Sequence, residues 1–161
     1  MDTPAVRERG GRVGEGLEAA AGDTVLRSRP ARPFHASIAA RATELAPLRA
    51  DLRRWLAAAG VPELVADDVL VAVGEACANA IEHGYGFAGD QRVTVRLWLR
   101  AGRLAAEIRD TGGWTEPRVD PRSAGRGRGR MLMDALMDEA DVCGGPWGTT
   151  VRLGRRITPA G

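Results

Sequence analysis

The chain contains the stretch Glu75-Ala76-Cys77-Ala78-Asn79-Ala80-Ile81-Glu82-His83, in which polar and apolar residues separate onto two sides of a helix. At about 100° per residue, Glu75, Asn79 and His83 share one arc, and Asp68 falls on the same arc nearer the N-terminus. The opposite arc is apolar, as expected of a helix packed on a sheet. It carries Val69, Leu70, Val73, Ala76, Cys77, Ala80 and Ile81. The pattern predicts a helix from Pro62 to His83 with one polar working face.

The polar arc suits a metal ion that accompanies a nucleotide. A carboxylate from Glu75 and an amide oxygen from Asn79, presented on a rigid element, match the preference of Mg²⁺ for oxygen ligands. Mg²⁺ bound with phosphates needs few protein ligands. An ordinary solvated helix face explains this spacing about equally well, because a Glu and an Asn four residues apart occur often by chance.

Two further segments favour the nucleotide interpretation. Residues 103–109 alternate in polarity, which predicts a half-buried strand, and this strand ends in Asp110 followed by Thr111-Gly112-Gly113. An acid at a strand end, followed by glycines, can direct its carboxylate into a pocket. Residues 125–130, Gly-Arg-Gly-Arg-Gly-Arg, lead into an apolar-patterned helix. Free backbone N–H groups at such a helix start form an anion site suited to phosphates.

In this order, and with Gly148-Thr149-Thr150 near the end, the segments resemble the N, G1, G2 and G3 boxes of the GHKL ATPase superfamily, of the HATPase_c type. Within it the chain is similar to the anti-sigma factor serine/threonine kinases, over about residues 34–155. The resemblance implies an α+β two-layer sandwich, the Bergerat fold, with a mixed, mostly antiparallel sheet and helices on one face. It also implies a flexible lid over ATP at about residues 111–128.

The resemblance also implies roles for individual residues. Glu75 would be the general base, Asn79 would bind Mg²⁺, and Asp110 would accept a hydrogen bond from the adenine amino group. Thr149 would line the pocket, and His83 would contact phosphate or the lid, although a helix-capping role is an equal alternative. The glycines that would let the backbone approach the nucleotide are Gly112, Gly125, Gly127 and Gly129.

The function implied by the resemblance is an ATP- and Mg²⁺-dependent kinase. It would bind a sigma factor and phosphorylate a Ser or Thr of an anti-anti-sigma protein of the STAS type, and a homodimer is compatible with it. The alternative is an ATP-binding or ATP-degenerate module that sequesters its partner without phosphoryl transfer. Retention of both Glu75 and Asn79 favours the enzyme, because a module that only sequesters needs no base.

Other nucleotide-binding and nucleic-acid-binding classes fit poorly. The chain has no lysine, so its 23 basic residues are all arginine, and both a Walker A loop and a eukaryotic-type kinase require a lysine. Residues 84–89 match G-x-G-x-x-G, but they follow a predicted helix instead of a strand. No aromatic residues interleave with the arginines and no helix-turn-helix pattern occurs, so direct nucleic-acid binding is not expected.

Composition predicts one domain with tails. At 161 residues and 44% hydrophobic, the chain suits a single core. We expect a disordered tail at 1–32, the ATP-binding kinase domain at 33–156 and a C-terminal tail at 157–161. No apolar run approaches a membrane span and no signal segment opens the chain, which predicts a cytoplasmic protein without a membrane partner.

The remaining charged and sulfur-containing residues carry weaker signals. Cys77 and Cys143, with His35 and His83, form neither a metal-ligand spacing nor a disulfide framework. The arginines clustered within residues 118–130 favour contact with polyphosphate or a partner over simple solvation. The expected elements are strands at 34–40, 92–100, 103–109, 141–143 and 149–153, and helices at 43–59, 62–83 and 130–138.

Overall fold

A computed structural model of the chain describes residues 31–84, 91–111 and 128–158, with side chains for all of these except residues 83 and 84. Every predicted helix and strand is present. A 3₁₀ turn at Ala42–Glu44 precedes α1. In chain order the elements are β1 Phe34–Ala39, α1 Leu45–Ala58, α2 Glu63–Gly84, β2 Arg92–Arg100, β3 Arg103–Asp110, α3 Arg128–Leu136, β4 Glu139–Gly145 and β5 Gly148–Arg156.

The five strands form one sheet in the order β1-β2-β3-β5-β4. Each pairing between described strands is antiparallel, so the parallel pair expected in a mixed sheet does not occur among them. Short hairpins cause this in part, since strands joined by two residues can only run antiparallel. In the β2–β3 turn, Ala101 and Gly102 have φ of 48° and 70°, the positive values that a type I′ turn requires.

The helices cover one face of the sheet, which confirms the predicted two-layer α+β sandwich. The apolar arc of α2 is buried along its whole length, and α1 contributes Leu48, Leu52 and Leu56. From the sheet, alternate residues of β2 and β3 point into the same core. They are Val93, Val95, Leu97, Leu104, Ala106 and Ile108, each at most 1% exposed. This packing holds α2 across the sheet and leaves its polar arc at the edge of the core.

The start of α3 differs from the prediction. Arg128 and Gly129, which the sequence pattern places before the helix, belong to α3. Glycine is a poor helix former, which is why the sequence pattern places the start later. Tertiary packing overrides that preference, because Gly129 is buried and lies directly against α2.

Several expectations concern residues outside the described ranges. These are the tail at residues 1–30, most of the lid at residues 112–127, and the part of the G-x-G-x-x-G match that follows Gly84. None of the helices in the described ranges is long and apolar enough to cross a membrane.

The two cysteines lie in contrasting environments. Burial raises the pKa of the Cys77 thiol from 9.0 to about 12, and the Arg49 guanidinium opposes that shift only in part. Cys143 is exposed on β4. We therefore expect one thiol of the folded protein to react with a disulfide reagent at about pH 8, and the second only after unfolding.

The raised pKa also predicts a dependence of stability on pH. The unfolded thiol ionises first, so the free energy of unfolding should fall as pH rises from 9.0 towards about 12. Denaturant titrations across that range measure the change. Two thiols that react rapidly in the folded protein would contradict the packing of Cys77.

Candidate active site

The polar arc of α2 meets the first turn of α3. Glu75 and Asn79 are half-buried, and Gly129 lies directly against both. A Cβ at Gly129 would sit 3.0 Å from Glu75 Oε2 and 3.2 Å from Asn79 Nδ2. Only glycine allows so close an approach without a shift of the side chains. Residues about fifty positions apart in sequence therefore form one polar surface.

The packing of α3 explains why its N-terminus is held at this place. Met133 is 1% exposed and anchors the helix in the core. The first N–H groups of a helix have no partner within the helix, and its N-terminus carries a partial positive charge. Glu75 therefore lies beside a helix end that favours negative charge. Arg130, also in this turn, forms an ion pair with Asp134, 3.5 Å between Nε and Oδ2, on the surface of α3.

Asp110 occupies the end of β3 beside the start of β5. The Thr149 backbone N–H donates a hydrogen bond to Asp110 Oδ1 at 3.1 Å, which orients the carboxylate. Gly148 has a φ of 127°, and a Cβ there would collide with the carbonyl oxygen of Asp110. Sequence reasoning assigns no role to Gly148, although the residue lies in a recognised motif. Its backbone conformation is what brings β5 close enough to hold Asp110.

The contact of Arg49 with Gly74 was not predicted. The Arg49 side chain, from α1, lies across Gly74, where a Cβ would be 3.1 Å from its Nη2 atom. Gly74 immediately precedes Glu75 on α2. No sequence motif marks Arg49, because its position depends on how α1 packs on α2. The guanidinium therefore lies in the contact between α1 and α2.

Asp68 lies outside the candidate site, although it falls on the same arc of α2 as Glu75. Its carboxylate pairs with Arg155 of β5, 3.1 Å between Oδ2 and Nη2. Asp68 lies seven residues before Glu75, about 10 Å along α2 at 1.5 Å per residue. Of the other predicted site residues, Gly112, Gly125 and Gly127, together with the His83 side chain, lie outside the described structure. Thr149 is half-buried and contributes its backbone N–H.

The residues present fit a nucleotide with Mg²⁺. Glu75 and the chain's only asparagine, Asn79, offer oxygen atoms beside the N-terminus of α3. Because Gly129 has no side chain, the backbone of α3 can lie close to both of them. Within the described ranges, no group of three or more His, Cys, Asp or Glu side chains could hold a metal ion.

Comparison with known proteins identifies the family. The model of the histidine kinase-like ATPase domain matches residues 38–155. The chain belongs to this family. The matched range includes Glu75, Asn79, Asp110, Gly129 and Thr149, which are the described residues of the candidate site.

Curated relatives of this histidine kinase-like ATPase domain are serine-protein kinases. The chain is 35% identical to the serine-protein kinase RsbW of Bacillus pumilus strain SAFR-032 and 33% identical to that of Bacillus subtilis strain 168. Each match covers 47% of this chain and 56% of the relative. The chain thus spans little more than half the length of the curated relatives that it matches.

A solved structure supports the same fold. The RsbU and RsbW domains of Rv1364c from Mycobacterium tuberculosis superimpose with a TM-score of 0.63 at 29% identity. The match covers 78% of this chain and 32% of that one. The α+β architecture predicted from the sequence is therefore the architecture of a solved relative.

Proposed function

We propose that this protein is a serine/threonine kinase that uses ATP with Mg²⁺ and acts as an anti-sigma factor. Its substrate would be a Ser or Thr of an anti-anti-sigma protein of the STAS type, and its second partner a sigma factor. The observation that carries the proposal is the contact of Gly129 with Glu75 and Asn79, which places a carboxylate and an amide at a helix N-terminus. The names of the matched relatives support the reaction class.

Each described site residue has a task in this proposal. Asp110, oriented by the Thr149 N–H, accepts a hydrogen bond from the adenine amino group. Asn79 Oδ1 is the protein ligand of Mg²⁺, and the N-terminus of α3 receives the phosphates. His83, Gly112, Gly125 and Gly127 complete the proposed nucleotide site.

Glu75 acts on the protein substrate. When bound, ATP with Mg²⁺ supplies the phosphoryl group and neutralises part of its charge. Glu75 orients the attacking hydroxyl and accepts its proton as the new oxygen–phosphorus bond forms and the bond to the ADP oxygen breaks. Positioning accounts for most of the acceleration in reactions of this type, so the rigid attachment of Glu75 and Asn79 to one helix is important.

The wider context follows from the same proposal. We place the kinase domain at residues 33–156 between two tails, and the protein in the cytoplasm, where both ATP and sigma factors are found. The proposed partners are proteins and not nucleic acid, and a homodimer is compatible with the proposal. Purification of the intact chain and mass measurement in solution determine the oligomeric state.

Replacement of Asn79 tests the metal site directly. Asn79→Ala should abolish the part of ATP affinity that depends on Mg²⁺, because the amide oxygen is the proposed ligand. Asn79→Asp keeps an oxygen at the same place and should retain the Mg²⁺ dependence. Calorimetric titrations with ATP, with and without Mg²⁺, measure both. If the ATP affinity of Asn79→Ala depended on Mg²⁺ as it does in the wild type, Asn79 would not be the metal ligand.

A further inference from the structure

The face of the sheet that the helices leave uncovered carries two rows of charged side chains, each running across the strands. In the first row, positively and negatively charged side chains alternate over much of its length. Its members, each directly opposite the next, are His35, Arg96, Glu107, Arg152 and Asp141. Arg152 and Glu107 form an ion pair, 3.5 Å between Nε and Oε2. Such pairs stabilise the sheet, so this row needs no partner.

The second row, which we call the arginine row, consists of Arg100, Arg103 and Arg156. Like charges directly opposite one another destabilise a sheet. Arg103 forms an ion pair with Glu139 across Gly154, where a Cβ would lie 3.0 Å from Arg103 Nη2. Among the residues that the structure describes, neither Arg100 nor Arg156 has an ion pair through its guanidinium. Folding alone therefore does not account for this row.

A cleft of about 750 Å³ lies where the start of α2 faces β4 and the end of β5, and Arg156 of the arginine row is among its lining residues. One side is apolar, formed by Pro62, Leu64 and Val65, and Leu64 is 83% exposed. The other side carries charged residues: Asp138, Glu139, Arg155 and Arg156.

Most of these charges already have partners. Arg155 pairs with Asp138, 3.5 Å from Nη1 to Oδ1, and with Asp68. Asp138 also accepts the Arg156 backbone N–H at 2.7 Å, and Glu139 is paired with Arg103. The Arg156 guanidinium is thus the lining charge that these described contacts leave unneutralised. An occupant that complements the cleft must combine an apolar side chain with negative charge.

We propose that this cleft and the arginine row form a docking site for an acidic segment of a partner protein. An apolar side chain of the segment packs on Pro62, Leu64 and Val65, while its carboxylates pair with Arg100 and Arg156. The aliphatic lining favours a peptide over single-stranded nucleic acid, whose bases stack on aromatic residues. Leu64 and Glu75 are eleven residues apart, about 16 Å along α2, so the site does not depend on phosphoryl transfer.

A titration of the full chain, followed by amide chemical shifts, tests the site. The probe is a peptide in which two leucines are flanked on each side by two glutamates. It should change the amide chemical shifts of Leu64 and Arg156. A peptide with alanine in place of leucine should bind more weakly. In the double variant Arg100→Gln, Arg156→Gln the dissociation constant should rise by about tenfold. The control Arg53→Gln, Arg54→Gln loses the same charge on α1, together with the ion pairs to Asp67 and Asp51, and should bind as the wild type.

Three results of the titration would overturn the proposal, and a melting experiment adds a fourth test. The first is that the peptide causes no chemical-shift changes at the residues of the cleft. The second is that both double variants bind the peptide equally weakly. The third is that an oligothymidylate binds these residues more tightly than the peptide does. The free double variant should also melt no lower than the wild type, since repulsion within the arginine row is removed. A lower melting temperature would show that the row stabilises the fold, contrary to its proposed role.

Discussion

Glu75→Gln is expected to lower the rate of phosphoryl transfer to the protein substrate by about 10²–10⁴, while the affinity for ATP stays within about twofold. The substitution keeps the size of the side chain and its packing against Gly129 but removes the proposed proton acceptor. A single-turnover assay with labelled ATP and the purified anti-anti-sigma protein measures the rate, and calorimetry measures the affinity.

Glu82→Gln provides the matched control, because Glu82 is exposed on the same helix two turns beyond Glu75. It should transfer phosphate at the wild-type rate. A wild-type rate of phosphoryl transfer in Glu75→Gln would show that Glu75 is not the general base. Nucleotide binding with no transfer even in the wild type would favour a module that sequesters its partner without catalysis.

Among single substitutions in the sheet, Gly148→Ala should cause the largest loss of stability. Its φ of 127° is unfavourable for any residue with a Cβ, and that Cβ would collide with the main chain of Asp110. We expect the free energy of unfolding to fall by more than about 2 kcal/mol. The bond from the Thr149 N–H to Asp110 should break as β5 moves away, so ATP affinity should fall as well.

Gly145→Ala is the control on the same hairpin. Gly145 pairs with Gly148 across the turn, and a Cβ at Gly145 would meet nothing within 4 Å. Its effect on unfolding should stay within about 0.5 kcal/mol. Urea denaturation of both variants measures the difference. Equal stability of the two variants would contradict the close approach of β5 to Asp110.

Features with a strong periodic pattern could be predicted from the sequence. The apolar arc of α2, the alternation in β3 and the Ala101-Gly102 turn each report on local geometry, and each is confirmed. The spacing of Glu75 and Asn79 likewise follows from the helical repeat. These predictions succeed because the period of a helix or strand is set by the backbone alone.

Features that depend on contacts between distant segments could not be predicted in this way. Gly129 belongs to α3 and packs against α2, despite the low helix propensity of glycine. Asp68 has the same periodicity as Glu75, yet it pairs with Arg155, which is 87 residues away in sequence. The arginine row becomes visible only once the register of β2, β3 and β5 is known.

Calorimetric titration with ATP and Mg²⁺ of the intact chain and of Asp110→Asn tests the central claim most directly, because each catalytic assignment requires a bound nucleotide. We predict micromolar binding to the wild type and an affinity at least about tenfold lower for Asp110→Asn, in which an acceptor for the adenine amino group is replaced by a donor. Absence of binding to the folded wild type, or equal affinity in the variant, would contradict the proposed nucleotide site.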